Sequence, residues 1–226
     1  MGRAEANPIS LDRNLEDFPD EHRKRVWMNR LEAVIFASPA PVPRAVLETV
    51  IGEGASLDAL MGDIMWELRA RPYDIVEVAG GFHMRTKPEF TPAIRHSGVL
   101  GPEKPDLTHR DMTVLMAIAY FQPITRKEVS NIVGKDVSRD VISSIAKRGY
   151  IGQGPRSPLP GSPMTYVTTQ DFLVAFGFKS LAELPDMNKL LESGLIDKER
   201  LALEEERTAF LNGKDNDASI EADTDA

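Results

Sequence analysis

The side chains with the most capacity for chemistry are four histidines, and their spacing does not bring them together. A helical zinc site needs two imidazoles four residues apart, so that both lie on one face of the helix. The histidines at positions 22, 83, 96 and 109 include no such pair. The sequence also has no cysteine, and therefore no thiolate that could bind a metal or act as a nucleophile. These observations predict no metal centre and no other cofactor.

Two further motifs match ligand-binding loops only in part. A phosphate loop of the Gly-x4-Gly-Lys-Ser/Thr type does not occur in the sequence. The pair Gly80-Gly81 is better explained by a hairpin turn that needs positive φ. Asp215-Asn216-Asp217 begins like a calcium loop but lacks the glycine at position six and the glutamate at position twelve. We therefore expect that the protein is not an enzyme.

Length and composition are those of an ordinary globular protein. The chain has 226 residues, 42% apolar and 27% charged, which predicts one or two domains. The longest strongly apolar run, residues 114–121, is far shorter than a membrane-spanning helix requires. The absence of cysteine fits a reducing compartment, and the N-terminal residues do not resemble a signal peptide. We expect a cytoplasmic protein that does not bind membranes.

The net charge of −8 is concentrated at the two ends of the sequence. Residues 1–21 carry a net charge of −4 and residues 180–226 one of −8, whereas residues 22–97 carry +1 and residues 108–178 carry +3. Acidic polar ends are typical of solvated tails. The charge of the central part therefore does not exclude a nucleic acid partner, but it predicts only weak attraction.

Helical periodicity, followed by a hairpin pattern, occurs twice along the chain. In each copy three short apolar stripes at 3- and 4-residue spacing predict three helices, and two β-rich runs then predict a hairpin. A constant offset of 82 residues pairs breakers and core positions of the two copies: Pro41 with Pro123, Leu47 with Val129, Ile51 with Val133, Gly52 with Gly134, and Ser56 with Ser138. The two glycines are expected to end the second helices, and the two serines to cap the third.

Three helices followed by a hairpin is the winged-helix arrangement. The predicted fold class is therefore mainly α with small β wings, an α+β fold of tandem winged-helix domains. We predict a disordered acidic arm (1–21), a first winged-helix domain (22–97), a linker (98–107), a second winged-helix domain (108–186), a C-terminal helical extension (187–211) and a disordered acidic tail (212–226).

DNA binding is one function that this fold allows. The third helix of a helix-turn-helix presents its first residues to the major groove, and in the first domain these include Asp58 and Asp63, which would repel phosphates. The second domain offers a better surface, diluted by Asp136 and Asp140: its basic residues are Lys135, Arg139, Lys147 and Arg148. We expect weak, sequence-independent and salt-sensitive contact at most. A tandem winged-helix transcriptional regulator remains the alternative hypothesis.

An ordered set of motifs resembles a known family. It comprises LEAVIFAS at 31–38, VEVAGGF at 76–82, IAYFQPITR at 118–126 and YVTT at 166–169. In this order and spacing, over about residues 26–186, the set is similar to the bacterial segregation and condensation protein B (ScpB) family. The sequence departs from the family pattern at residues 133–137, VGKDV, where an Arg-Gly-Val type of turn is usual. A second departure is the unusually proline-rich wing at 152–163, whose prolines either protect a sheet edge or form a stiff contact segment.

The resemblance implies a function as well as a fold. It implies a homodimeric accessory subunit of the Smc–kleisin condensin complex, which binds the central region of a ScpA-like kleisin and through it modulates the Smc ATPase in chromosome condensation and partition. The protein would then be associated with the nucleoid. Self-association would lie in the first domain, with candidate interface residues Trp27, Leu31, Phe82 and Phe90. Candidate kleisin-binding residues in the second domain are Tyr120, Gln122, Pro123 and Arg126.

Overall fold

The computed structural model describes residues 11–101 and 106–186. The chain divides into two compact units, Met1–Glu103 and Lys104–Ala226, and this division falls within the predicted linker at 98–107. The predicted helical extension at 187–211 and the predicted tail at 212–226 lie outside the described residues. Within the described part, no helix is both long and apolar enough to cross a membrane.

Unit one is a helix-turn-helix followed by a β-hairpin. Its three strands form an antiparallel sheet in the order β1-β3-β2, and a 3-10 turn extends each of its second and third helices. Its elements are α1 (Asp20–Ala37), β1 (Val42–Pro43), α2 (Arg44–Leu47), α3 (Leu57–Glu67), β2 (Tyr73–Val78), β3 (Gly81–Thr86) and α4 (Thr91–His96).

Unit two repeats this order, including a helix after the hairpin. Its antiparallel sheet has the order β4-β6-β5. Its elements are α5 (His109–Phe121), β4 (Ile124–Thr125), α6 (Arg126–Val133), α7 (Arg139–Lys147), β5 (Ile151–Arg156), β6 (Met164–Thr168) and α8 (Gln170–Phe176), followed by a 3-10 turn at Leu181–Glu183.

The offset of 82 residues relates elements as well as residues. Strands β1 and β4, helices α2 and α6, and helices α3 and α7 each begin 82 residues apart. The predicted caps are present in both copies, because Ser56 Oγ accepts the Ala59 N–H and Ser138 Oγ accepts the Val141 N–H. Each unit has the helix, small strand, helix, helix and hairpin order of a winged helix, so the predicted fold class is confirmed.

The two paired glycines serve different purposes. Gly134 has a φ of +75° and caps α6 in the left-handed conformation, as predicted. Gly52 has no positive φ, and a Cβ there would lie 2.5 Å from Trp27 Cζ2. Gly52 therefore makes room for an indole ring rather than ending a helix.

The hairpin turn of unit one lies one residue earlier than the pair Gly80-Gly81 suggested. Ala79 and Gly80 have positive φ, at 50° and 74°, whereas Gly81 already belongs to β3.

The segment before α1 packs on unit one, so the description of residues 1–21 as a disordered arm does not hold for residues 11–21. Leu15 is buried at 7% exposure. The Arg13 guanidinium donates to the carbonyl oxygens of Ile51 (3.0 Å) and Glu48 (2.8 Å). The Trp27 indole N–H donates to the Arg13 carbonyl oxygen at 2.7 Å. These are long-range contacts, which the lack of periodicity in this segment could not indicate.

Candidate functional site

A groove in unit two lies between the N-terminal turns of α6 and α7 and the loop of the wing. We call it the wing groove, and its volume is about 820 Å³. Half of its lining side chains are apolar, and we call these its floor. They come one from α7, two from β6 and three from the wing loop: Ile142, Met164, Tyr166, Leu159, Pro160 and Pro163. A concave apolar surface of this size with polar groups at its edge is typical of a binding site.

Hydrogen bonds within the wing hold its prolines beside the groove. The Ser157 N–H donates to the Pro163 carbonyl oxygen at 3.0 Å, and the Arg156 guanidinium donates to the Ser162 carbonyl oxygen at 3.2 Å. The strand register shifts between Gln153 and Arg156, which marks a bulge, and pairing resumes at Arg156 and Met164 before the loop begins. Pro160 and Pro163 of the wing thus line the groove.

The charged side chains that line the wing groove, which we call its rim, are three basic residues and Glu128, so they carry a net positive charge. The Glu128 carboxylate is engaged in capping α6, because its Oε2 accepts both the N–H and the hydroxyl of Thr125 at 2.8 Å. The Arg126 guanidinium donates to the Val137 carbonyl oxygen at 2.6 Å. Lys127 and Arg139 are exposed and have no ion-pair partner within the part of the chain that the structure describes. The rim therefore favours an acidic segment over a basic one.

The candidate kleisin-binding residues lie in different environments. Arg126 lines the wing groove, and Pro123 is exposed just before β4. The hydroxyl of Tyr120 donates to the Pro185 carbonyl oxygen, so the last described residues cover the end of α5. Burial, together with the nearby Asp186 carboxylate, raises the pKa of Tyr120. At neutral pH this phenol is therefore protonated and available as the donor.

Gln122 connects the end of α5 to the end of β6. Its Nε2 donates to the Ala119 carbonyl oxygen (3.0 Å) and to Thr168 Oγ1 (2.9 Å), and its Oε1 accepts the Thr168 N–H at 2.7 Å. The polar atoms of this candidate binding residue are therefore used inside its own unit. The YFQP motif gave no indication of these contacts, because Thr168 is distant in sequence.

Replacing Gln122 by alanine is expected to lower the stability of unit two by about 1–3 kcal/mol, because the half-buried Thr168 N–H loses its acceptor. Native-state hydrogen exchange of amides in β6 measures the change. Gln170→Ala, at an exposed position on α8, is the control and should stay within about 0.5 kcal/mol of the parent. Equal protection in Gln122→Ala and the parent would contradict the structural role.

The candidate dimer residues are mostly inside unit one. Leu31 is 0% exposed and Phe82 is 4% exposed, since Leu31 lies on the inward stripe of α1 and Phe82 on the central strand of the sheet. We therefore withdraw both as surface residues. Trp27 is half-buried against Gly52, and Phe90 is 38% exposed. Trp66, another large aromatic of this unit that the sequence offered as a dimer anchor, is 64% exposed. Phe36 is 76% exposed and was not a candidate, because it lies outside the apolar stripe of its helix.

The candidate DNA-contacting residues are only partly on one surface. Lys135, Arg139 and Lys147 are exposed, whereas Arg148 is half-buried and lines a separate cavity of about 410 Å³ beside Tyr150. Asp136, which would oppose phosphate contact, lies 3.4 Å from the Arg126 guanidinium. DNA contact stays a prediction. Among the described residues, no group of histidine, aspartate and glutamate is arranged to hold a metal ion.

The fold defines a tandem winged-helix protein, and its second unit carries a groove lined by apolar and basic side chains. The family model of the segregation and condensation complex subunit ScpB matches residues 29–187. The chain therefore belongs to the ScpB family, whose members act in chromosome segregation and condensation.

Curated relatives carry the name of this family. The segregation and condensation protein B of Symbiobacterium thermophilum is 36% identical over 170 residues, 74% of this chain and 76% of the relative. That of Bacillus subtilis is 30% identical over 177 residues, 76% of this chain and 88% of the relative. The crystal structure of ScpB from Mycobacterium tuberculosis is 27% identical, with a TM-score of 0.33, and the match covers 71% of this chain and 98% of that one.

Proposed function

We propose that this chain is a non-enzymatic subunit that binds the central region of a ScpA-like kleisin and thereby modulates the Smc ATPase in chromosome condensation and partition. The observation that supports this most directly is the wing groove, with its apolar floor and basic rim. Membership of the ScpB family supports the role in chromosome segregation and condensation. The protein would reach the nucleoid through this complex, and any contact with DNA would be weak or indirect.

The groove suits a peptide segment better than a small molecule. Its volume is about 820 Å³, and its apolar lining comes from a helix, a strand and a loop. An amphipathic segment could bury its apolar side chains on this floor while its carboxylates meet Lys127 and Arg139 at the rim. Binding would order the kleisin segment and hold it in one geometry, which is a scaffolding role that needs no catalytic group.

Charge reversal at the rim tests this site. The double variant Lys127→Glu/Arg139→Glu is expected to weaken binding of a kleisin central fragment by about 10–100-fold, because two attractions become repulsions. Titration calorimetry on the full chain gives the affinity, and the control Lys147→Glu lies at the far end of α7, outside the groove. No binding by the parent chain would refute the function, and equal binding by the double variant would refute the site.

We also propose that the chain is a homodimer through unit one, with the exposed side chains of Trp66 and Phe90 as candidate contacts. Large exposed aromatic side chains are enriched at protein interfaces. Light scattering is expected to give twice the 25.0 kDa mass of one chain, and Trp66→Glu should shift it towards one chain. Ala45→Glu, at an exposed position on α2, is the control. A single-chain mass for the parent at all concentrations would contradict the proposal.

A further inference from the structure

We propose that residues 201–211 of this chain, an acidic segment, bind in the wing groove of the same molecule and mask it until a partner displaces them. This regulatory contact goes beyond the proposed kleisin binding and does not depend on it. It rests on the chemistry of the groove, on the composition of the segment and on the place where the described chain ends.

Segment and groove are complementary in charge and in apolar content. Residues 201–211, LALEEERTAFL, contain three adjacent glutamates and four large apolar side chains. The groove offers the exposed cations Lys127 and Arg139 above an apolar floor that includes Ile142 and Tyr166. Carboxylates at the rim and leucine or phenylalanine side chains on the floor would satisfy both parts of the surface.

The connection is short enough and begins near the groove. The described chain ends at Pro185 and Asp186, where the Pro185 carbonyl oxygen accepts the Tyr120 hydroxyl. Thr125 lines the groove and follows Tyr120 by five residues. The Cα atoms of these two residues are therefore at most about 18 Å apart. The fifteen residues from Asp186 to Leu201 can span about 50 Å when extended, which is ample for this distance.

Tethering makes even a weak contact effective. A short connection gives the bound segment an effective concentration in the millimolar range, so that an affinity too weak for a separate peptide would still keep the groove occupied. A competing partner segment would then have to displace it. The apparent affinity of the full chain for such a partner is therefore lower than that of a chain whose acidic segment is neutralised.

A spin label beside the segment provides the test. Because the chain has no cysteine, Asn212→Cys creates a unique attachment site and leaves residues 201–211 unchanged. In the full-length protein, the amide signals of Ser143 and Leu159 should broaden relative to the reduced, diamagnetic label. Lys127→Glu/Arg139→Glu should remove this broadening, whereas the control Lys147→Glu should retain it.

Each other result overturns the proposal. Groove amides that stay sharp would show that the segment does not reach them, and broadening that persists in the double variant would show that the groove charges do not hold it. A mixture distinguishes broadening within one molecule from broadening between two molecules. It contains isotope-labelled chains without the spin label and unlabelled chains that carry it. Broadening that also occurs in that mixture would assign the contact to another copy. None of these outcomes depends on the titration with a kleisin fragment, so the two proposals can fail separately.

Discussion

Replacing Phe172 by alanine is expected to lower the free energy of unfolding of unit two by about 3–5 kcal/mol. This side chain is 0% exposed and belongs to the main core of the unit. Its ring centroid lies 4.9 Å from that of Phe176 and 6.1 Å from that of Phe178. Truncation therefore removes apolar burial, leaves a cavity and disrupts the aromatic packing that attaches α8 to the three-helix core.

Native-state hydrogen exchange measures this loss best, because a chain with two units need not unfold in one step. Amides of α5 and α8 should lose protection in Phe172→Ala, whereas Phe172→Leu should lose less because it fills part of the cavity. Phe36→Ala removes an equally large side chain that is 76% exposed and should change protection by less than about 0.5 kcal/mol. A loss below about 1 kcal/mol in Phe172→Ala would show that α8 is not part of the stable core.

The features that could be predicted from the sequence are those determined by near neighbours along the chain. Helix caps such as Ser56 and Ser138 act on amides three residues away, and apolar stripes reflect the helical repeat itself. Duplication strengthened these local signals, because each breaker or cap occurred twice at the same offset. The order of elements and the winged-helix class followed from them.

Features that depend on distant residues could not be predicted in this way. The strands β1 and β4 have two residues each, and only their pairing with the third strand of each sheet identifies them. Phe82 is a large aromatic in a predicted strand, and its burial depends on what packs over the sheet, including the Arg44 guanidinium 5.6 Å from its ring centre. Composition alone cannot separate such a side chain from an interface residue.

The wing groove shows the same limit at the level of the site. Its basic residues and its prolines were both noticed in the sequence, but as separate features with separate interpretations. Arg139 begins α7, and Pro160 lies in the wing loop about twenty residues later. Only the packing of the wing against the two helices makes them parts of one surface, which is why the sequence predicted a mixed-charge helix face instead of a groove.

The hairpin of unit one gives the second large prediction, because its adjacent glycines are required for different reasons. Gly80 has a φ of +74°, and a Cβ there would meet no atom within 4 Å. Gly81 has no positive φ, but a Cβ there would lie 2.6 Å from the Val42 carbonyl oxygen and 3.1 Å from the Pro43 nitrogen. Gly81 pairs with Pro43 across β1 and β3, so its missing side chain is what lets these strands approach.

Gly81→Ala is therefore expected to destabilise unit one by about 2–3 kcal/mol, since the added methyl group meets backbone atoms that can move only if the pairing of β1 with β3 opens. Gly80→Asn should cost less than about 1 kcal/mol, because asparagine tolerates the left-handed conformation and the space is empty. Hydrogen exchange of amides in β2, β3 and α1 measures both variants. If the two substitutions cost the same, backbone conformation rather than the close approach of β1 would explain the glycine pair, and the steric account of this sheet would be wrong.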